Sequence, residues 1–420
     1  MIQRSRARQQ QPGLRVTILA TGLAAVSAVA LAVPAGAASG PGTGATALLS
    51  WGVNDVGQLG NGTHTDFSKV PVRAILPKGT RLRSVSAGCG FSLAVTTSGK
   101  LLSWGTNRDG RLGLGKGGPR SSPVPVTVRI PGGGRITAAA AGCHHALALT
   151  ASGRVLAWGR SNLGQTGTGQ APSAPVLTPT AVRLPAGTRV ISIAAGFDTS
   201  AAVGADGTVW TWGTTQFGQL GIGAQGPNTY RATPVRVPLP AGVKGKAVAT
   251  GTITDYAVTR GGNVWAWGGD SFGELGNGHS GGHVTRPVKV RLPAGTKVAS
   301  LAAGCYFALA RTTAGPVLGW GDNHSGQLAI RAGQTNLPAH PALPAGVRVT
   351  ALGASCRSSL ARTAAGRVFA WGLNARGELG TGGPPPGTDP DPAPVHLPAG
   401  FTATGIGAGS QAHGGYALGH

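Results

Sequence analysis

One short pattern recurs seven times along the chain: two large apolar residues, a small residue, then Trp-Gly. The Trp-Gly pairs fall at Trp51, Trp104, Trp158, Trp212, Trp267, Trp320 and Trp371, at intervals of 53, 54, 54, 55, 53 and 51 residues. Two positions before each Trp stands Leu49, Leu102, Leu156, Trp210, Trp265, Leu318 or Phe369, which a strand places on the Trp face. The residue between is Ser50, Ser103, Ala157, Thr211, Ala266, Gly319 or Ala370, and a third apolar residue precedes the pair. Apolar residues on both faces predict an internal strand sandwiched between neighbouring sheets.

The rest of each copy reads as turns and three further strands. Asn54, Asn107, Ser161, Thr215, Asp270, Asn323 or Asn374 follows three residues after the Trp, where such side chains are expected to bond backbone groups two residues on. Six residues after the Trp is always Gly (57, 110, 164, 218, 273, 326, 377), the residue for positive φ or close backbone approach. A variable polar loop comes next, then an alternating strand such as 288–292, then a Leu-Pro turn in most copies. A strand running into Ala-Gly and another ending at a Ser-Gly or Asp-Gly turn complete the unit. A period of this length with four short strands is that of a propeller blade. The fold class expected is therefore all-β, a seven-bladed β-propeller of four-stranded blades.

The first Trp-Gly lacks the two strands that should precede it, and they appear at the other end of the chain as 406–409 and 416–418. One blade is thus expected to be assembled from N- and C-terminal strands, since an open ring would leave unpaired edges.

Processing and charge refine the picture. Arg4, Arg6, Arg8 and Arg15 precede an apolar run, Val16 to Val33, followed by the small-residue stretch 34–38. This reads as a secretory signal peptide over residues 1–38, with 39–420 the propeller domain and a secreted, extracellular product; an uncleaved membrane anchor is the lesser reading. Cleavage removes four Arg and no acid, lowering the net charge from +24 to +20. No later segment has the length and apolarity of a span.

The copy at 139–149 (AAAGCHHALAL), with Ser152-Gly153-Arg154-Val155 and Trp158-Gly159, resembles the repeat of the regulator of chromosome condensation family, as do the Gly-Gln-Leu runs at 57–59, 218–220 and 326–328. The resemblance spans about residues 41–420 and implies a seven-bladed propeller. It also implies a diverse choice of activities: chromatin binding and guanine-nucleotide exchange on a small GTPase, scaffolding, ubiquitin ligation, or, in a secreted bacterial relative, enzyme inhibition. The repeat intervals leave no inserted segment matching the exchange factor's projecting wedge.

Candidate chemistry is sparse. The chain has only twelve acids, with no pair at a shared non-repeat location and no nucleophile motif, so a non-enzymatic protein is expected. Glu274 and Glu378 fill a position held elsewhere by Gln58, Gln165, Gln219 and Gln327 and read as structural or surface residues. His279 and His283 lack further ligands nearby, and no metal or cofactor is expected. Cys89, Cys143, Cys305 and Cys356 share one repeat position; buried thiols are expected, disulfides being the alternative, because equivalent positions should be held apart by blade spacing.

Arg81, Arg135, Arg189, Lys297 and Arg348 follow the Leu-Pro turns, and Arg129, Arg183 and Arg291 precede them. Repeated placement is expected to create a ring of positive charge suited to polyanions (cell-wall phosphate polymers, an anionic membrane surface or nucleic acid), or these are solvated edge-strand residues. The variable loops, roughly 61–69, 114–122, 168–174, 222–233, 277–286, 330–337 and 381–394, are where recognition is expected, with Phe67, Arg120, Tyr230, Arg231 and Phe272 as contact residues. The expected molecule is a monomer with a protein partner, and nucleic acid is not expected as its partner in vivo. A small-GTPase exchange factor is the rival reading, and a polysaccharide- or peptide-cleaving enzyme a weaker one.

Overall fold

The computed structural model describes residues 44–170, 174–383, 387–409 and 411–420; the leader lies outside them. Twenty-eight strands form seven four-stranded antiparallel sheets, the expected propeller. Blade 1 comprises Leu82–Ala87, Phe91–Thr96, Leu101–Thr106 and Ser121–Val128, in that spatial order. Blades 2 to 6 repeat this arrangement over 136–181, 190–236, 245–289, 298–339 and 349–394. Blade 7 takes its two inner strands, Ala403–Gly407 and Gly414–Gly419, from the end of the chain and its two outer strands, Ala47–Val53 and Phe67–Arg73, from the beginning. The seam is a full antiparallel ladder running from Ala47 opposite Gly419 to Gly52 opposite Gly414. Among the described residues no helix is long and apolar enough to cross a membrane.

Burial follows radial position. The first strands of neighbouring blades touch around the axis, and the outermost strand is only half buried, as in Phe67–Arg73. The Trp strand is third, and all seven repeat Trp side chains are fully buried. Each Trp covers about 150–250 Å², roughly 4–6 kcal/mol of gross hydrophobic stabilisation, offset by chain entropy.

A buried indole N–H needs an acceptor, and the repeat supplies one from the preceding blade. Trp104 donates to the Gln58 carbonyl at 2.8 Å, Trp158 to Arg111 at 2.7 Å, Trp212 to Gln165 at 2.9 Å and Trp267 to Gln219 at 2.7 Å. Trp320 donates to Glu274 and Trp371 to Gln327, both at 2.8 Å. Trp51 donates to Glu378 at 2.9 Å across 327 residues of sequence, which closes the circle.

The acceptor loop is shaped by the residues the repeat holds constant. The Gly six after each Trp has φ between 71° and 86°, and a Cβ there would strike the outer strand of the next blade. The Asn side chain before it reaches further than the expected two residues: Asn54 Oδ1 accepts the Leu59 N–H, and Asn107, Asp270, Asn323 and Asn374 accept likewise, five residues on. The wider loop lets Leu59 and its counterparts plunge between blades, where Ser50, Ser103 and Thr211 hydroxyls donate to the carbonyls of Leu59, Leu112 and Leu220.

The expectation of free thiols is overturned. Cys89 is bonded to Cys143 and Cys305 to Cys356, with Cα atoms 4.4 and 4.5 Å apart. Blade spacing grows with radius, and these Cys sit just beyond the innermost strands, where successive blades converge on the axis. The same convergence allows direct backbone bonds between blades, from Cys143 N to Gly196 O at 3.0 Å and from Cys305 N to Cys356 O at 3.2 Å. The bridges join blades 1 to 2 and 5 to 6. Thiol titration of the unreduced, unfolded protein is expected to find no free thiol, and four after reduction; four thiols without reductant would contradict the pairing.

Candidate functional site

Strand direction gives the ring two unlike ends. The turn between the first and second strands and the long variable loop between the third and fourth share one end, the loop face. The hairpin between the second and third strands and the Leu-Pro connection between blades share the other, the turn face.

On the loop face, each inner turn holds one equivalent residue: Gly90, His144, Asp198, Ile253, Tyr306, Arg357 and His413 in blades 1 to 7. Equivalence is set by the backbone, since the carbonyl of this residue accepts an N–H just past the Trp-Gly of its own blade, as His144 does from Arg160 at 2.9 Å and His413 from Val53 at 3.0 Å. The scaffold is constant and the side chains are not.

Two clusters are built on it. In the first, Gln165 Nε2 donates to Asp198 Oδ1 at 2.8 Å, His144 Nδ1 lies 3.4 Å from the same oxygen, and the His144 ring meets Phe197 edge-on at 5.1 Å. In the second, Gln327 Nε2 donates to Asp322 Oδ2 at 2.8 Å, Asp322 Oδ1 pairs with the exposed His324 ring, and Phe272 packs edge-on against both Tyr306 and His324 at 5.7 Å.

Beneath the first cluster His145 is fully buried, and burial pushes its pKa down to about 4. The Ser200 hydroxyl gives its single proton to the Gln165 carbonyl at 2.8 Å, so it accepts from His145 Nε2 at 2.8 Å. The imidazole is therefore neutral with its proton on Nε2, and it supports the carbonyl that receives the Trp212 indole N–H. His145 is a structural residue.

Several acids are also buried. Asp255 replaces the Ser that stands at 92, 200 and 359; burial raises its pKa well above the carboxylate range, and Oδ2 has no partner. Burial pushes Glu274 up to about 8 although the Phe272 N–H bonds one of its oxygens, and raises Asp270 to about 6. Glu274 and Glu378 thus have the structural role expected of them: each accepts the N–H two residues back, as Gln58 does from Val56. Among the described residues, no three His, Cys, Asp or Glu side chains gather as a metal site.

The residues expected to make contacts are spread around the rim. Phe67 and Tyr230 open the outermost strands of blades 7 and 3, Arg120 lies just before that of blade 1, and Arg231 is next to Tyr230. Phe272 alone falls within a cluster, beside Tyr306 and His324. Sequence reading noted His144 only as the neighbour of His145 and did not single out Asp198, Tyr306 or His324; the signal available for the first three was the changeable pair of residues after Ala-Gly, at 143–144, 197–198 and 305–306.

With ring and site in place, comparison with known proteins is direct. The "Regulator of chromosome condensation (RCC1) repeat" description matches residues 47–95, 98–149, 152–203, 206–252, 261–311 and 365–412, and a second version of it matches 82–111, 136–165 and 190–219. The chain belongs to this repeat family. It is 32% identical over 337 residues to the ultraviolet-B receptor UVR8 of Arabidopsis thaliana, covering 80% of this chain and 74% of the receptor. It is 30% identical over 317 residues to a secretion-regulating guanine nucleotide exchange factor of Bos taurus, covering 71% of this chain and 66% of that protein. The structure of Prp20p from Saccharomyces cerevisiae, described with its binding to Gsp1p and histones, superimposes with a TM-score of 0.77 at 21% identity, over 90% of this chain and 92% of that one.

The buried groups predict an optimum in stability. Glu274 and Asp255 hold their protons more tightly folded than unfolded, so the stability they contribute is full at low pH and is lost as pH rises through their folded values. His145 acts oppositely, losing stability as pH falls from 6.5 toward 4. Between pH 6.5 and 8 the acids dominate, and melting temperature should fall. Glu274→Gln, the residue of four other copies, should flatten that fall and stabilise the protein at pH 8 by about 1–3 kcal/mol. A wild-type melting temperature that is level or rising from pH 6.5 to 8 would contradict the assignment.

Proposed function

We propose that this chain is an exported, non-enzymatic binding protein that holds a protein partner on its loop face. The observation that carries the reading is the ring of inner turns, where one constant backbone position carries six residue types over seven blades, from Gly90 to Tyr306 and Arg357. Such a surface suits recognition, since a rigid scaffold spares the ordering cost of binding while the residue at this position changes from blade to blade. The two aromatic-histidine clusters are its natural anchors, because aromatic side chains carry disproportionate binding energy. An enzyme inhibitor is one form such a protein takes. Relatives described as a receptor and as an exchange factor support a regulatory binding role.

Export is supported by the Arg-rich start, the apolar run Val16 to Val33 and the small residues after it. Two disulfides accord with it, since such bonds persist in oxidising compartments. A second reading, guanine-nucleotide exchange on a small GTPase, is favoured by the likeness to the bovine exchange factor.

The test uses the protein as bait in culture supernatant and wall extract, beside a variant carrying His144→Ala, Phe272→Ala and Tyr306→Ala. Capture of a discrete protein by the parent, reduced at least about tenfold in the variant, is expected. Equal capture by both would place binding elsewhere. Accelerated nucleotide release from a captured GTPase would replace this reading with the second.

A further inference from the structure

Charge is divided unequally between the two faces. On the turn face the connection between blades has one length throughout: an eight-residue step separates the buried residue closing each outer strand from the first inner-strand residue, as from Val128 to Ile136 and from Val290 to Val298. At the same point in six of the seven steps stands an exposed cation: Arg81, Arg135, Arg189, Lys244, Lys297 or Arg348. The backbone carbonyl of each accepts an N–H from the hairpin of its own blade at 2.7–3.1 Å. Four of the side chains also lie over the hairpin glycine of the preceding blade: Arg135 over Gly99, Arg189 over Gly153, Lys244 over Gly207 and Lys297 over Gly262. These cations lie on connections, not on edge strands, so protection of a strand edge does not explain them. The hairpins add exposed Lys100, Arg154, Arg260 and Arg367. Of the chain's twelve acids only Asp206 lies on this face. The loop face, by contrast, interleaves its cations with acids, as Arg111 with Asp109 at 3.4 Å.

The one blade without the cation is blade 7, which has Thr402. Both described chain ends lie at this gap. The Thr402 N–H bonds the carbonyl of His420, and a Cβ on Gly44 would fall 3.3 Å from that of Arg81.

We propose that the turn face is a docking surface for an anionic phospholipid bilayer. Cations on six blades around the axis match a plane of mobile headgroups, which can gather a phosphate beneath each. Juxtamembrane basic residues draw such lipids within a Debye length of the surface. The adhesion orients the loop face away from the membrane, toward a partner, and it does not depend on which partner that is.

The full chain is sedimented with vesicles of phosphatidylcholine alone or with about 30% phosphatidylglycerol, at low and high salt. A variant with Arg81, Arg135, Arg189, Lys244, Lys297 and Arg348 each changed to Gln is compared with a control bearing Gln for Arg108, Lys116, Arg160, Arg286, Arg331 and Arg376. The apolar run is common to all three proteins, so differences report the faces. The parent should gain at least about tenfold in binding on anionic vesicles and lose it at high salt, the turn-face variant should lose that gain, and the control should keep it within about twofold. Coincident melting curves, and a half-sized loss in Arg81→Gln, Arg189→Gln, Lys297→Gln, exclude misfolding. Equal binding of the parent to neutral and anionic vesicles, or equal losses in both variants, overturns the proposal. So does tighter retention on a linear polyphosphate than on vesicles of the same phosphate content.

Discussion

The hydrogen bond from each repeat Trp to a carbonyl of the preceding blade is the constraint on which the structure depends. A Trp strand buried on both faces has nowhere to put its indole N–H except toward a neighbour. The neighbour must then offer a backbone carbonyl at that depth, which requires a loop dipping between the sheets. That loop is shaped by the positive-φ Gly in every copy and, in most copies, by the Asn five residues before the inserted Leu and the Gln or Glu that bonds the N–H behind it. Local sequence and ring assembly are thus one requirement. Because Trp51 takes its acceptor from Glu378, the first and last parts of the chain must fold together.

A frame tied in this way frees the loop face to vary. Substitutions that would be costly in an isolated sheet are tolerated where neighbours compensate, as with the buried neutral His145 between Ser200 and the Gln165 carbonyl. Asp255 and Glu274 are less well compensated, each with a buried oxygen lacking a partner, and burial keeps their protons on. In the inner turns of the loop face, the same backbone position carries Gly, His, Asp, Ile, Tyr, Arg and His in turn. The turn face is the reverse case: connections of constant length repeat one charge instead of varying it.

Much of this was legible in the sequence because repetition supplies the comparison a single strand lacks. Seven Trp-Gly sites, their apolar partners and the displaced strands at 406–409 and 416–418 led to blade count, strand order and closure. The disulfides were not, because pairing depends on radius: Cys89 and Cys143 are 54 residues apart and are brought together only where inner strands converge. Nor were the His144–Asp198–Gln165 and Phe272–Tyr306–His324 clusters, which join successive blades at a depth that repeat alignment alone does not specify. Phe67, Arg120 and Tyr230 look alike as exposed loop residues, yet they stand on different blades. Alignment finds equivalent positions and is silent about which equivalents face one another.

Indole hydrogen exchange, read residue by residue with labelled Trp, tests the central claim most directly. If the seven indole bonds form one closed circuit, all seven repeat N–H groups should exchange only through global unfolding, with the same protection and the same denaturant dependence, Trp51 included. If Trp51 or its neighbour Trp104 exchanges through a separate, lower-energy opening while the others stay protected, the seam is an independent flap and the circuit is not what holds the ring.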